Sequence, residues 1–160
     1  SAPRLERLRD NLARTGLKAR VVQGDALELR EGGWDAVLLD APCTATGTIR
    51  RHPELPAARD GSELGPLVAM QARLLDHAAS LLRPGGRLVF ATCSLLPEEG
   101  EAQVRALLAR RADLSPEPAA VPGADPAWAV PEGLRTRPDL WPAEGGLDGF
   151  FVARLRKAGG

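Results

Sequence analysis

Cysteine is scarce in this sequence: Cys43 and Cys93 are the only two in 160 residues. So few thiols exclude a disulfide-stapled scaffold and a cysteine-rich zinc site. They suit a reducing, cytoplasmic compartment. Long hydrophobic runs are missing as well. No stretch approaches the ~18 consecutive apolar residues of a membrane-spanning helix, and Ser1-Ala2-Pro3-Arg4-Leu5-Glu6-Arg7 has no apolar core of the signal-peptide type. Net charge is lacking, with 21 basic residues against 21 acidic. That balance argues against bulk electrostatic adhesion to nucleic acid and leaves room for a local basic patch. Lys18 and Lys157 are the only lysines. Arginine, which carries the rest, forks phosphate and stacks on bases better, although abundant Ala, Gly and Pro beside it also fit a compositional bias. What is present is an ordinary globular mixture, 44% hydrophobic and 26% charged, in a length that suits one domain with a real core.

The periodicity alternates between helix and strand. Leu5, Leu8 and Leu12 recur at helical spacing, so 3–15 reads as a helix, with Pro3 in its first turn and Gly16 at its stop. Arg20–Gln23 reads as a short strand running into Gly24-Asp25. A nearly unbroken apolar run, 35–39, reads as another and leads to Asp40-Ala41-Pro42-Cys43. A long helix over about 62–83 carries Leu64, Leu67, Val68, Leu74, Leu75, Ala78, Leu81 and Leu82 on one stripe. Gln71 interrupts that stripe, so it is either a satisfied core amide or a residue that fixes a loop. Pro84-Gly85-Gly86 stops the helix, and 87–92 follows as a strand before Cys93-Ser94. Pro97, Glu98 and Glu99 open the next helix, with carboxylates at its positive end. Residues 113–142 read as a long irregular connection with seven prolines. Asp148-Gly149 is a hairpin signal ahead of a last strand over 150–155, whose partner is expected near 134–137. The expected fold is α/β: a partial Rossmann-like sheet, mostly parallel, with an antiparallel C-terminal hairpin.

In such a sheet ligands bind beyond the carboxyl ends of the strands. Asp25, Asp40 and Thr92-Cys93-Ser94 all sit at expected strand ends, and neighbouring strands lie only ~4.8 Å apart. Both cysteines are therefore expected to face one cleft. Each feature alone has a plainer reading. A free cysteine is usually a small buried hydrophobe, two close cysteines can form a disulfide, and an aspartate after a strand often caps a turn.

The local segments are more specific than their parts. Asp40-Ala41-Pro42-Cys43-Thr44-Ala45-Thr46-Gly47-Thr48-Ile49-Arg50-Arg51-His52-Pro53 is one. Ala91-Thr92-Cys93-Ser94 followed by Pro97-Glu98-Glu99 is the other. With Pro84-Gly85-Gly86 and Asp148-Gly149-Phe150-Phe151, they resemble the Nop/Sun family of RNA cytosine-C5 methyltransferases, nearest its bacterial Sun/Fmu branch, over roughly residues 4–157. The resemblance implies S-adenosyl-L-methionine (SAM) as cofactor and RNA, chiefly small-subunit ribosomal RNA, as substrate, with no metal and no membrane. It implies that Cys93 is a nucleophile that adds to C6 of the cytosine, and that Cys43 assists release of the product. Asp40 corresponds to the carboxylate that engages the cytosine. Asp25 is assigned to the adenine of SAM, with Asp40 and Pro42 also on the cofactor side. Arg50, Arg51 and His52 are candidates for substrate phosphates, with a solvated basic loop as the alternative. The target base must be unpaired or flipped out to reach a thiolate.

The sequence departs from that family at its start. The glycine-rich SAM loop and the acidic ribose residue of the family's first two strands have no counterpart here, nor does its N-terminal RNA-binding region. Residues 1–160 are thus expected to be a fragment of the catalytic domain that binds SAM poorly alone and self-associates through an exposed sheet edge. A transfer-RNA cytosine methyltransferase and an inactive RNA-binding fragment are the alternative readings.

Overall fold

The computed structural model describes residues 2–58, 60–118 and 121–160. They fall into two units, 1–30 and 31–160. In the first, helix α1 spans Ala2–Thr15. It ends as the sequence suggests: Gly16 takes a φ of 68°, and the amides of Gly16 and Leu17 return to the carbonyls of Ala13 and Leu12, a left-handed glycine stop. The strand expected over 20–23 does not form. Those residues carry no strand assignment, and Val22 is 60% exposed. Backbone that finds no neighbouring strand gains no ladder, whatever its β propensity.

The second unit is an α/β layer. Its elements are β1 (Trp34–Asp40), a short α2 (Leu55–Ala58), α3 (Leu64–Leu81), β2 (Leu82–Thr92), α4 (Glu101–Arg110), β3 (Leu114–Glu117), β4 (Ala129–Val130), β5 (Gly133–Thr136) and β6 (Phe150–Lys157). The sheet order is β1-β2-β6-β5-β4, with β3 also paired to β6. β1 and β2 are parallel; the other pairings are antiparallel. The antiparallel end is thus larger than the sequence suggests. One edge of β6 pairs with β2, and the other is shared by β5 and β3.

Alternation along the central strands decides where the core sits. Leu88, Phe90 and Thr92 on β2 face the same side as their cross-strand partners Leu155, Ala153 and Phe151 on β6, and all six are fully buried. Leu75, Ala79, Val104 and Leu107 from α3 and α4 complete that core. Phe90 and Phe151 meet edge to face with centroids 6.2 Å apart.

Three sequence expectations are corrected here. The Pro84-Gly85-Gly86 stop lies inside β2 as a bulge, since Trp34 pairs with Leu82 and Ala36 with Arg87. Asp148-Gly149 is not a two-residue hairpin turn, because residues 137–149 connect β5 to β6. The connection 113–142 is not wholly irregular: besides the expected partner strand, β5, it holds β3 and β4, the latter in a tight hairpin with β5 around Pro131-Glu132, while 119 and 120 lie outside the described residues. Its strands are too short for periodicity to reveal. Pro116 is tolerated because β3 pairs on one side only. Among the described residues no helix is long and apolar enough to cross a membrane.

Phe151 is fully buried in this core, with its ring against Phe90. Phe151→Ala is expected to cost about 3–5 kcal/mol, read as a fall in the denaturant midpoint at unchanged slope.

Candidate active site

The parallel pairing of β1 with β2 ends both strands on the same side of the sheet. Asp40 is the last residue of β1 and pairs with Ala91; the Ala41 amide still reaches the Ala91 carbonyl at 3.0 Å. The chain then turns through Pro42-Cys43-Thr44, while β2 runs out into Cys93-Ser94. This side-by-side exit places Cys43 Sγ 3.5 Å from Cys93 Sγ. Both thiols are free and half-buried. A disulfide is about 2.05 Å long, so this is a contact between two thiols.

Burial pushes the Cys43 thiol up to about 12, with the neighbouring Cys93 adding to the rise and a hydrogen bond from the backbone of Ala45 opposing it. Cys43 therefore stays protonated near neutral pH and can donate its S–H toward the Cys93 sulfur.

The loops that carry them are fastened to each other. The Gly47 amide donates to the Cys93 carbonyl at 2.9 Å, and the Gly149 amide donates to the Gly47 carbonyl at 2.7 Å. A Cβ at Gly47 would overlap the Gly149 carbonyl, so that approach requires glycine. Thr46 Oγ1 accepts from the Leu95 amide at 2.9 Å, and Ser94 Oγ lies 3.2 Å from Thr46 Oγ1. Arg135 donates to the Ser94 carbonyl at 2.7 Å. Its guanidinium forks Glu101 with two 2.6 Å bonds and lies over the Phe151 ring. Burial alone would raise the Glu101 carboxyl, but the Arg135 bonds hold it below its usual value.

Beneath the cysteines lies a fully buried polar cluster. Glu99 accepts from the Thr44 amide at 2.9 Å, from Thr44 Oγ1 at 2.5 Å and from Gln71 Nε2 at 3.0 Å. Gln71 Nε2 also donates to the Pro42 carbonyl at 2.8 Å, and Gln71 Oε1 accepts from Gln103 at 3.2 Å. Gln71 is thus both of the things its sequence position left open, satisfied in the core and fixing a loop. Glu99 corrects the sequence reading. It lies in a 3₁₀ turn over Pro97–Glu99, ahead of α4, and is buried, whereas its neighbour Glu98 is exposed. Glu99 and Arg135 were not singled out as site residues. The sequence traces of this cluster are the polar Gln71 in an apolar stripe and the Thr44 and Glu99 positions inside the two quoted motifs.

Asp40 is exposed. Alternation places it with Leu38, 70% exposed, on the face opposite Val37 and Leu39, which pack against the core. Pro42 is exposed. Arg50 and Arg51 both reach Asp148, at 3.5 Å and 2.6 Å, and His52 pairs with Glu54 at 3.3 Å. Asp148 is thus shared between two cations. Asp25 belongs to the first unit, where it accepts from the Leu27 amide at 2.9 Å as the cap of a turn over Ala26–Glu28. The structure therefore brings together Cys43, Cys93 and the end of β1, and leaves Asp25 as a turn cap. No group of three or more potential metal ligands occurs among the described residues.

A strand-end pair of free thiols, one held neutral, beside a strand-end carboxylate is a specific arrangement, and comparison with known proteins gives it a lineage. Residues 1–156 match the family described as 16S rRNA methyltransferase RsmB/F. The chain belongs to that family. It is similar to proteins named ribosomal RNA small subunit methyltransferase B from Shewanella oneidensis (41% identical, covering 98% of this chain and 36% of that protein) and Xylella fastidiosa (45%, covering 96% and 35%). It thus spans about a third of the length of these relatives. Among solved structures it is similar to PH0851 (34% identical, TM-score 0.85, covering 98% of this chain and 35% of that one). It is also similar to NSun6 from Pyrococcus horikoshii, crystallised with SFG (30%, TM-score 0.80, covering 100% and 40%). The RsmB/F fold is thus that of an α/β methyltransferase sheet.

The raised Cys43 value sets a pH expectation. Only thiolates alkylate, so iodoacetamide labelling of Cys43, followed by peptide mass spectrometry, should keep accelerating past pH 10 rather than level off near an ordinary thiol's ~8.5. A plateau below pH 9.5 would show that burial does not protect the proton.

Proposed function

We propose that this chain carries the thiol side of the active site of a SAM-dependent RNA cytosine-C5 methyltransferase acting on small-subunit ribosomal RNA in the cytoplasm. The observation that carries the reading is the 3.5 Å pairing of Cys43 with Cys93 at the ends of adjacent parallel strands. The family supports the substrate class, and the relative bound to SFG, an analogue of SAM, supports the cofactor.

C5 of cytosine is a poor nucleophile. In this reading the Cys93 thiolate adds to C6 and turns the C4–C5–C6 unit into an enamine, whose C5 is electron-rich enough to take a methyl group. SAM supplies that methyl group. A base then removes the C5 proton, and the C6–sulfur bond breaks to return the Cys93 thiolate and the aromatic ring. Cys43 serves both ends of the cycle. Its S–H hydrogen bond stabilises the Cys93 thiolate at the start and the departing sulfur at the finish. Asp40 is assigned to the cytosine, and its exposure at the strand end leaves the carboxylate accessible to a base. Asp40 and Pro42 would hold the cofactor beside the open face of β1 that carries Leu38. Arg50, Arg51 and His52 are assigned to RNA phosphates. The side chains of Arg50 and Arg51 are 45% and 53% exposed despite Asp148, so their outer edges can meet a backbone.

The test is methyl transfer from labelled SAM to small-subunit ribosomal RNA by a protein of the relatives' full length that carries residues 1–160, with digestion to nucleosides. The expected product is 5-methylcytidine, and Cys93→Ala should lower its rate by at least ~10³-fold, as loss of a covalent nucleophile does. RNA retention without transfer would replace this reading with that of a binding module, and label in transfer RNA alone would move the substrate.

A further inference from the structure

Glu99 is a fully buried carboxylate that touches both cysteine loops and neither cysteine. On one side its carboxylate takes the amide and hydroxyl of Thr44, the residue after Cys43, and the amide of Gln71, which also binds the carbonyl of Pro42, the residue before Cys43. Cys43 is therefore clamped through both chain neighbours by one Glu99–Gln71 pair. On the other side the Glu99 backbone carbonyl accepts from Thr92 Oγ1 at 3.0 Å, and Thr92 immediately precedes Cys93. Thr92, Gln71 and Glu99 have no solvent exposure and Thr44 is buried, so the bonds that Glu99 makes are shielded from water.

We propose that Glu99 is the positioning residue of the cysteine pair: through Thr44 and Gln71 on one side and Thr92 on the other, it sets the separation between Cys43 and Cys93. A buried carboxylate that collects donors is costly to break, because each freed donor remains buried and unpaired. The Pro42-Cys43-Thr44 turn is therefore held by bonds stronger than those of an ordinary surface loop. The consequence for turnover rests on the methyltransferase reading, in which Cys43 must sit beside the departing Cys93 sulfur. The geometric claim stands apart from that reading.

Two readouts separate them, both on a protein of the relatives' full length that carries residues 1–160. The first is the rate at which dibromobimane, a reagent that bridges two thiols, links Cys43 to Cys93, normalised to single alkylation of Cys93 by iodoacetamide. Glu99→Ala should lower bridging about tenfold, the loss expected for charge-assisted hydrogen bonds. Glu99→Gln, which keeps an oxygen for the Thr44 amide and an NH₂ that can donate to the Thr44 hydroxyl, should recover most of it. Should Glu99→Ala show no cooperative melting, Thr44→Val, which keeps the shape and deletes the hydroxyl with its short bond to Glu99 and its longer contacts to Thr46 and Ser94, should lower bridging about threefold. The second readout is methyl transfer to ribosomal RNA. The same variants should lower kcat in proportion to bridging, with KM for RNA within about twofold and with covalent protein–RNA complex accumulating. Bridging at the parent rate in a folded Glu99→Ala or Thr44→Val protein would overturn the proposal. Reduced bridging with unchanged kcat would overturn the link between spacing and turnover. A parent chain that bridges normally and transfers no methyl group would count against the function proposed above, and the bridging comparison would still decide the role of Glu99.

Discussion

A carboxylate shut away from water must find its donors inside the protein, and the arrangement around Glu99 follows from that constraint. Its three donors come from the turn after β1 and from α3, and its own carbonyl takes the hydroxyl that ends β2. Three separate pieces of chain are thereby fixed at one point beneath the thiols. Gln103 on α4 extends the cluster by donating to Gln71 and to the Val68 carbonyl. Each member is satisfied, which is the condition under which a buried polar network rigidifies a fold rather than weakening it. The apolar core alone would place the two strands, because Leu88, Phe90 and Thr92 must face the helices. It would not place the loops beyond them.

The site is built in two layers of different character. The lower layer, Glu99 with Gln71 and Thr44, is sealed and neutral in its donors. The flanking layer is ionic: Arg135 forks Glu101, holds the Ser94 carbonyl and covers the Phe151 ring. A buried ion pair gives little net stability after desolvation, so its contribution here is to orient the turn after Cys93. Farther out, Arg50, Arg51 and Asp148 tie the loop after Cys43 to the segment before β6. Polarity thus increases from the sealed base of the cysteine pair toward the surface where RNA phosphates would arrive.

Legibility in the sequence followed the length of each signal. β1 and α3 were readable because an apolar run and a long stripe each sustain one period, and their observed limits lie within two residues of those expected. The partner of β6 was readable because antiparallel return over 134–136 needs only a strand and a connection. β3 and β4 were not, since four and two residues carry no periodicity, and 20–23 read as a strand because apolar content says nothing about whether a neighbour is there to pair. The same holds for the site. Both cysteines stood out by their place after strand ends, and the parallel pairing of β1 with β2 made them neighbours. Glu99 did not stand out, because a carboxylate at the start of a helix looks the same in sequence whether it faces water, as Glu98 does, or the core. Arg135 was hidden by the abundance of arginine.

The central claim is that Cys43 and Cys93 act as an unequal pair, with Cys93 as nucleophile and Cys43 as its protonated partner. The most direct measurement is to react a protein of the relatives' full length that carries residues 1–160 with SAM and ribosomal RNA containing 5-fluorocytidine, then sequence the cross-linked peptide by mass spectrometry. Fluorine at C5 blocks the final elimination, so the attacking sulfur stays attached. The account predicts an adduct on Cys93. An adduct on Cys43, or RNA bound with no adduct on either thiol, would contradict it.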